Sequence, residues 1–133
     1  MGVLHHYHAI GTGGEVSGSL AADIVGPIME LSNPNNILED ISVQIICGAG
    51  GTGQFFIQGS NYFNATLGDP GTDNWENIPQ YDSDGVLTTL AISGSAVNFM
   101  SNMSDLAHAF LRVIYTRTSG SGSVDVWING KGT

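Results

Sequence analysis

The feature that most constrains this chain is a period-two alternation of apolar and polar residues, interrupted at short intervals by glycine-rich turns. The alternation is clearest over residues 108–118, where Leu111 and Val113 share one face, and it recurs over residues 37–47 and 123–129. The segments between such runs, GAGGTG and SGSG among them, are typical of tight turns between antiparallel strands. The pattern therefore predicts an all-β fold with little helix.

The number and spacing of the alternating runs predict a two-sheet antiparallel β-sandwich of jelly-roll type. We count eight or nine short strands, and short strands at regular spacing are the usual signature of a sandwich or barrel. The length of 133 residues is close to that of one domain, which is roughly 150 residues. We therefore expect a single domain over residues 1–133, with the sandwich itself over residues 15–133.

The charge balance excludes several classes of partner. The chain has 12 acidic and 3 basic residues, giving a net charge of −9. The basic residues are Arg112, Arg117 and Lys131. Because nucleic-acid binders need a basic stripe to displace counterions, we expect no direct binding to nucleic acid or to an anionic membrane surface.

No apolar run approaches the ~18 residues of a membrane span, and the first ten residues do not resemble a signal peptide.

The first 14 residues predict an extended arm that is partly detached from the sandwich. The glycine-rich segment GTGG at residues 11–14 is expected to be a flexible joint. An isolated arm would leave its apolar side chains exposed to solvent, whereas an arm paired with the sheet edge of a neighbouring molecule would bury them. We therefore expect assembly as a homo-oligomer or on a symmetric lattice through this arm. Its apolar residues are Val3, Leu4, Tyr7 and Ile10.

A group of histidines near the N-terminus is the best candidate for metal binding. On a strand, His6 and His8 lie on the same face, and their neutral imidazoles suit Zn²⁺, Cu²⁺ or Ni²⁺. Three interpretations remain open: no functional metal, an intersubunit metal on a symmetry axis, or a pH switch. We favour the first and expect no cofactor.

Acidic residues in the loops raise the alternative of a structural calcium ion, because Ca²⁺ binds six to eight oxygen ligands. Their spacing is not that of a helix–loop–helix calcium loop, and solvated loop charges are the favoured interpretation. The residues are Asp69, Asp73, Glu76, Asp82 and Asp84.

The sequence offers no convincing catalytic group. The lone Cys47 ends an apolar alternation and is expected to be a small buried residue. The G-x-S-x-G pattern of a serine nucleophile is absent. Arg112 and Arg117 are expected to pair with some of the carboxylates. We therefore expect a protein without enzymatic activity.

Four segments carry a resemblance to a known class of protein. They are residues 55–61 (FFIQGSN), 74–79 (NWENIP), 110–124 (FLRVIYTRTSGSGSV) and 128–131 (INGK). Their order resembles small β-sandwich virion proteins of tailed bacteriophages and, more distantly, discoidin-like (F5/8 type C) jelly rolls. The first resemblance implies a capsid decoration or other auxiliary protein of the virion, assembled in the host cytoplasm and bound to other virion proteins.

Two functions therefore compete. The favoured one is a structural protein of a phage particle that acts through protein–protein contacts. The alternative is a carbohydrate-binding module or the tip domain of an adhesin, which would stack sugar rings on exposed aromatic side chains. The candidate ligand platform for that alternative consists of Tyr62, Trp75 and Tyr81.

Overall fold

The structure is a computed structural model that describes residues 3–31, 38–104 and 108–132. All twelve strands within these residues pair antiparallel. They are β1 (Val3–Ile10), β2 (Ile24–Val25), β3 (Met29–Glu30), β4 (Leu38–Cys47), β5 (Gly51–Ser60), β6 (Glu76–Asn77), β7 (Gln80–Tyr81), β8 (Leu87–Thr88), β9 (Leu90–Ser93), β10 (Val97–Met103), β11 (Phe110–Gly120) and β12 (Val124–Gly132).

The strands form two main sheets and a small ribbon. The four-stranded sheet has the order β1-β12-β4-β10, so the two ends of the described chain pair with each other. In the six-stranded sheet, β11 and β5 lie at the centre, with β2 and β3 beside β11 and with β6 and β9 beside β5. The prediction of an all-β antiparallel sandwich is confirmed. The strand count exceeds the predicted eight or nine because five strands are only two residues long.

The inward faces of the two sheets form one apolar core. In the four-stranded sheet, alternate residues of β4 and β12 point inward, and Val43 and Ile128 are fully buried opposite each other. In the six-stranded sheet, Phe55 and Tyr115 are buried opposite each other, with ring centroids 4.7 Å apart. Burial of these side chains is the main favourable term in folding. The period-two pattern read from the sequence is therefore the pattern of this core.

The short ribbon arises where two segments leave the edge of β5. Strand β9 pairs with β5 up to Phe55, which is opposite Leu90. Strand β6 pairs with the next part of β5, at Gln58 and Gly59. Between these points the chain turns away from β5, and β7 pairs with β8 instead. A cavity of about 390 Å³ lies where the ribbon separates, and it is lined by Phe56, Ile78 and Leu87 among others. The sequence pattern of residues 86–93 predicts one strand, but the structure divides them into β8 and β9, which lie in different sheets.

The N-terminal segment is an edge strand and not a detached arm. Seven residue pairs join β1 to β12, and a bulge at Ala9 interrupts the register between His8 and Ile10. Ile10 is fully buried in the core, and Tyr7 packs against it. Because this strand fills one side of its own sandwich, the prediction of an arm held by a neighbour is wrong for these residues. The side chains of Val3 and Leu4 lie outside the described part of the structure.

The glycine-rich segment after β1 is a fixed turn. The backbone of Gly11 has a φ of 126°, which favours glycine, and its N–H donates to the carbonyl of Val16 at 2.8 Å. A Cβ at Gly11 would overlap the Asp125 carboxylate. The close approach of strand β12 therefore requires glycine here, and the expected flexible joint is corrected to a tight turn.

Candidate functional site

The outer face of the four-stranded sheet carries a stack of aromatic rings. The His8 ring lies parallel to the Trp127 indole, with centroids 3.8 Å apart and 7° between the planes. His6 stacks on the same indole at 5.0 Å. The antiparallel register explains the stack, because His8 is directly opposite Trp127 and His6 is the next residue of β1 on the same face, two pairs along. We call His6, His8, Asp125, Trp127 and Asn129 the Trp127 cluster.

Polar partners hold both imidazoles in this cluster. His8 Nε2 lies 3.0 Å from Asp125 Oδ1, and His6 Nδ1 bonds to Asn129 Oδ1. The structure thus brings the two candidate metal ligands together, but one nitrogen of each ring is already bonded to a neighbouring side chain. Within the described residues, no group of three or more His, Cys, Asp or Glu side chains is placed to hold a metal ion.

The outer face of the six-stranded sheet carries a second, different tryptophan site. The Arg112 guanidinium lies over the Trp75 ring, with Cζ 4.3 Å from the ring centroid. Arg112 Nε donates to Gln58 Oε1 at 2.9 Å, and Gln58 Nε2 donates to Asn77 Oδ1 at 2.9 Å. Trp75 Nε1 donates to the carbonyl of Gly71 at 2.9 Å. We call Trp75, Arg112, Gln58 and Asn77 the Arg112 cluster.

Neither arginine is paired as the sequence suggested. Burial lowers the pKa of the Arg112 guanidinium, and its partners among the described residues are an amide and an indole, not a carboxylate. Arg117 Nε donates to the carbonyl of Gly120, while the Asp23 carboxylate accepts from the Arg117 backbone N–H. Amide and carbonyl acceptors hold the two side chains, so the expectation of carboxylate pairing is not met among the described residues.

The three aromatic residues of the candidate ligand platform have different surroundings in the described structure. Arg112 covers one face of Trp75. Tyr81 lies on the ribbon and lines a hollow with Met100. Tyr62 is exposed in the loop after β5.

Most of the loop carboxylates are engaged in local structure. Asp69 Oδ1 accepts from the Gly71 N–H at 2.8 Å. Asp82 Oδ1 accepts from the N–H groups of Asp84 and Val86, which closes the turn of the ribbon. Such bonds from a side chain to nearby backbone are the usual role of aspartate in turns. Glu76 Oε1 lies 3.1 Å from His108 Nε2, and Asp73 is exposed.

Charged side chains are rare on the central rows of both outer faces. Side chains that are paired across strands lie on the same face of a sheet. On the six-stranded sheet, three successive rows hold one cation and no carboxylate: Thr116, Gln54, Ala91, Val25, Ile114, Phe56, Arg112, Gln58 and Asn77. The next row of this face, after Arg112, contains Glu30. On the four-stranded sheet, three successive rows hold one carboxylate: His6, Asn129, Ser42, Asn102, His8, Trp127, Gln44, Met100, Asp125, Ile46 and Asn98. The next row of this face pairs Lys131 with Asp40.

Three weakly acidic side chains, two tyrosines and one cysteine, lie toward the interior. Burial and a hydrogen bond to Glu15 raise the pKa of Tyr7 to about 12. Burial raises the pKa of the Cys47 thiol to about 11, which agrees with the predicted buried and unreactive cysteine. Burial also raises the pKa of Tyr115. These groups stay protonated at neutral pH and do not form a nucleophilic site.

The Trp127 cluster was missed as a site by sequence reasoning, although one signal was present. Trp127 occupies the polar register of β12, between Asp125 and Asn129, where a large aromatic residue is unusual for a solvated strand. Its partners His6 and His8 are more than a hundred residues away in sequence. Only the pairing of β1 with β12 brings them together.

Comparison with known proteins identifies the fold and nothing narrower. No protein-family model matches the sequence, and no curated protein matches it. The crystal structure of the SPBc2 prophage-derived protein YomS is similar over 98% of this chain and 95% of that chain, with a TM-score of 0.56 and 8% sequence identity. The K1 cleaved adhesin domain of Lys-gingipain from Porphyromonas gingivalis W83 aligns over 96% of this chain and 70% of that chain, with a TM-score of 0.28 and 11% identity.

The likeness to YomS means that the two chains share a fold. It spans nearly the whole of both chains, so it covers both sheets and not one motif. The structural neighbour is a phage-derived protein, in agreement with the broader part of the resemblance read from the sequence. In the described residues, no helix is long and apolar enough to span a membrane.

Proposed function

We propose that this protein is a non-enzymatic structural component of a phage particle, and that it binds neighbouring virion proteins through the outer faces of its sandwich. One observation carries the proposal. In a chain with 12 carboxylates, three successive rows on each outer face together hold a single carboxylate, Asp125. Glu30 and Asp40 lie in the next row of their faces.

A protein surface that only contacts water is normally covered by charged side chains. Centres of protein interfaces are instead poor in charge and rich in aromatic residues, Met and Arg. The two faces have this composition, because they present Trp127, Met100, Phe56 and Arg112 among neutral amides and hydroxyls. The shared fold with a prophage-derived protein supports the same function. A capsid decoration or auxiliary protein is the specific form that we favour.

The test is incorporation into particles purified from the strain that carries the gene, with the deleted gene supplied in trans. We expect the wild-type chain to band with the particles in a density gradient and to be labelled there by immunogold. Gln44→Lys and Gln54→Lys each place a charge at the centre of one outer face. We expect at least one of them to reduce incorporation, while Ala65→Lys, in the exposed loop after β5, does not.

Thermal melting of the three variants shows that the fold is kept. Absence of the wild-type chain from purified particles would contradict the proposal. Normal incorporation of both face variants would contradict the assignment of the outer faces as binding surfaces.

One hollow favours the alternative function, which is glycan binding. A cavity of about 360 Å³ at the end of the sandwich is lined by Asn61, Asn74, Trp75, Glu76 and His108. Sugar sites combine aromatic surface with polar side chains of this kind. A glycan array probed with the full chain tests this function. Reproducible binding that is lost in Glu76→Gln but kept in Glu15→Gln would establish it, and no binding on the array would reject it.

A further inference from the structure

The Arg112 side chain is fixed in place and leaves its most specific donors unused. Its Nε is held by Gln58, which is itself held by Asn77, and one face of the guanidinium is held by Trp75. Among the described residues, its two terminal nitrogens make no hydrogen bond and no ion pair. A guanidinium held in this way has already lost the side-chain freedom that binding would otherwise cost.

The chemistry of this group selects a carboxylate. Two parallel N–H donors in a plane match the two oxygens of a carboxylate, and such pairs are among the strongest hydrogen bonds in proteins. Of the two neighbouring rows of the same face, the Val25–Ile114–Phe56 row contains no carboxylate. The other row contains Glu30, which makes no ion pair with Arg112 in the described structure. Both ion pairs found among the described residues use histidine as the cation instead.

The surroundings of Arg112 fit a protein partner. The adjacent row of the sheet consists of Val25, Ile114 and Phe56, and Val25 is 61% exposed. An arginine and a tryptophan beside an apolar strip have the composition of an interface hot spot. The partner that fits is therefore a carboxylate flanked by apolar side chains.

This chain presents such a group itself, at the turn of the β7–β8 ribbon. Tyr81, Val86 and Leu87 are 62%, 59% and 67% exposed there. The carboxylate of Asp82 is used within the turn, where it accepts two backbone hydrogen bonds. Asp84 is exposed, and the contact found for it is the donation from its backbone N–H to Asp82.

We propose that Arg112 binds the Asp84 carboxylate of a second copy of this chain, with the apolar side chains of that ribbon packed on the Val25–Ile114–Phe56 row. This inference rests on the proposed function and names one partner for the outer face of the six-stranded sheet. The contact is made either twice in a two-fold dimer or once per copy in a head-to-tail ring or filament.

Sedimentation velocity of the full chain over a range of concentrations tests the contact. We expect the wild type to self-associate, and Arg112→Gln and Asp84→Asn each to raise the dissociation constant by about tenfold or more. Arg117→Gln and Asp73→Asn remove the same charges elsewhere and are expected to change it less than about twofold. The exchanged pair Arg112→Asp with Asp84→Arg is expected to restore association that each single exchange abolishes.

A wild-type chain that remains monomeric overturns the inference, as does association that is insensitive to Arg112→Gln or that the exchanged pair fails to restore. Incorporation into particles is measured separately, so a monomeric chain that still bands with particles rejects this contact and leaves the proposed function standing. Circular dichroism melting of each variant confirms that the fold is intact.

Discussion

The two sheets of this sandwich are built in different ways. The four-stranded sheet consists of four strands of seven to ten residues, paired along most of their length. The six-stranded sheet has two long central strands, and all of its edge pieces are four residues or shorter. Its edges therefore leave grooves and turns, including the ribbon. This difference predicts that substitutions in the edge strand cost more stability in the first sheet than in the second.

The two tryptophans sharpen this contrast. His6 and His8 of the neighbouring strand β1 stack on Trp127, so this stack lies within one continuous sheet. Trp75 follows the long loop after β5 and meets Arg112 on a strand that is not its sequence neighbour. The first stack is part of regular pairing, whereas the second joins a loop to a sheet face.

The largest expected effect comes from the edge strand of the four-stranded sheet. Ile10→Ala removes a fully buried side chain, and such substitutions lower the free energy of unfolding by about 2–5 kcal/mol. Val25→Ala, on an edge strand of the other sheet, removes a side chain that is largely exposed, and we expect a loss of less than about 0.5 kcal/mol. Urea denaturation measures both. Equal losses would show that the two edges do not differ.

A second effect is a loss of stability at alkaline pH. The folded state raises the pKa of Cys47 to about 11 and that of Tyr7 to about 12. Because both groups hold their proton more tightly when folded, their stabilisation is complete below pH 9 and is lost as the pH rises through these values. For Cys47 alone the loss at pH 10.5 is about 2 kcal/mol.

The check is the melting temperature between pH 8 and pH 10.5, measured under reducing conditions. Cys47→Ala and Tyr7→Phe are each expected to flatten the decline, because each removes one titrating group. Ser93→Ala, at an exposed position of the six-stranded sheet, keeps both groups and is expected to leave the slope unchanged. A wild-type melting temperature that is constant over this range would refute the prediction.

Sequence reasoning predicted the fold well where local pattern decides the structure. The central strands β4, β5, β11 and β12 all follow the alternation, because one face of each is buried in the core. The pattern could not show that residues 86–93 divide between two sheets, since alternation does not identify a strand's partner. It also could not show that Gly11 is fixed, because the hydrogen bond to Val16 and the approach of Asp125 depend on the folded chain.

The candidate site was less predictable for the same reason. His6 and His8 were identified from their spacing, but their partner Trp127 is brought to them only by strand pairing. Arg112 was expected to find a carboxylate because carboxylates are abundant. Its surroundings instead contain Gln58 and Trp75, and nothing local in the sequence specifies that choice.

A third prediction compares the two tryptophan stacks directly. Double-mutant cycles with alanine measure the coupling energy of His8 with Trp127 and of Arg112 with Trp75. We expect about 1 kcal/mol for each pair, since stacked aromatic pairs and exposed cation–π pairs both fall in this range. Raising NaCl from 0.05 to 1 M should weaken the coupling of Arg112 with Trp75, because salt screens the charge of the guanidinium, and should change the coupling of the two stacked aromatic rings less. Equal salt dependence of the two coupling energies would contradict the expected difference between the two stacks.

The smallest effect is expected in the ribbon, and it concerns local rather than global stability. Asp82→Ala removes the acceptor for the N–H groups of Asp84 and Val86, while Asp82→Asn keeps an acceptor there. Because the ribbon is a separate two-stranded element, its opening does not require the core to unfold. We expect faster amide hydrogen exchange at residues 84–88 in Asp82→Ala, a smaller change in Asp82→Asn, and a melting temperature within about 2 °C of wild type, corresponding to less than about 1 kcal/mol. Accelerated exchange throughout β5 and β11 would instead show that the ribbon and the six-stranded sheet unfold as one unit, and the ribbon would then be a poor candidate for an independent contact element.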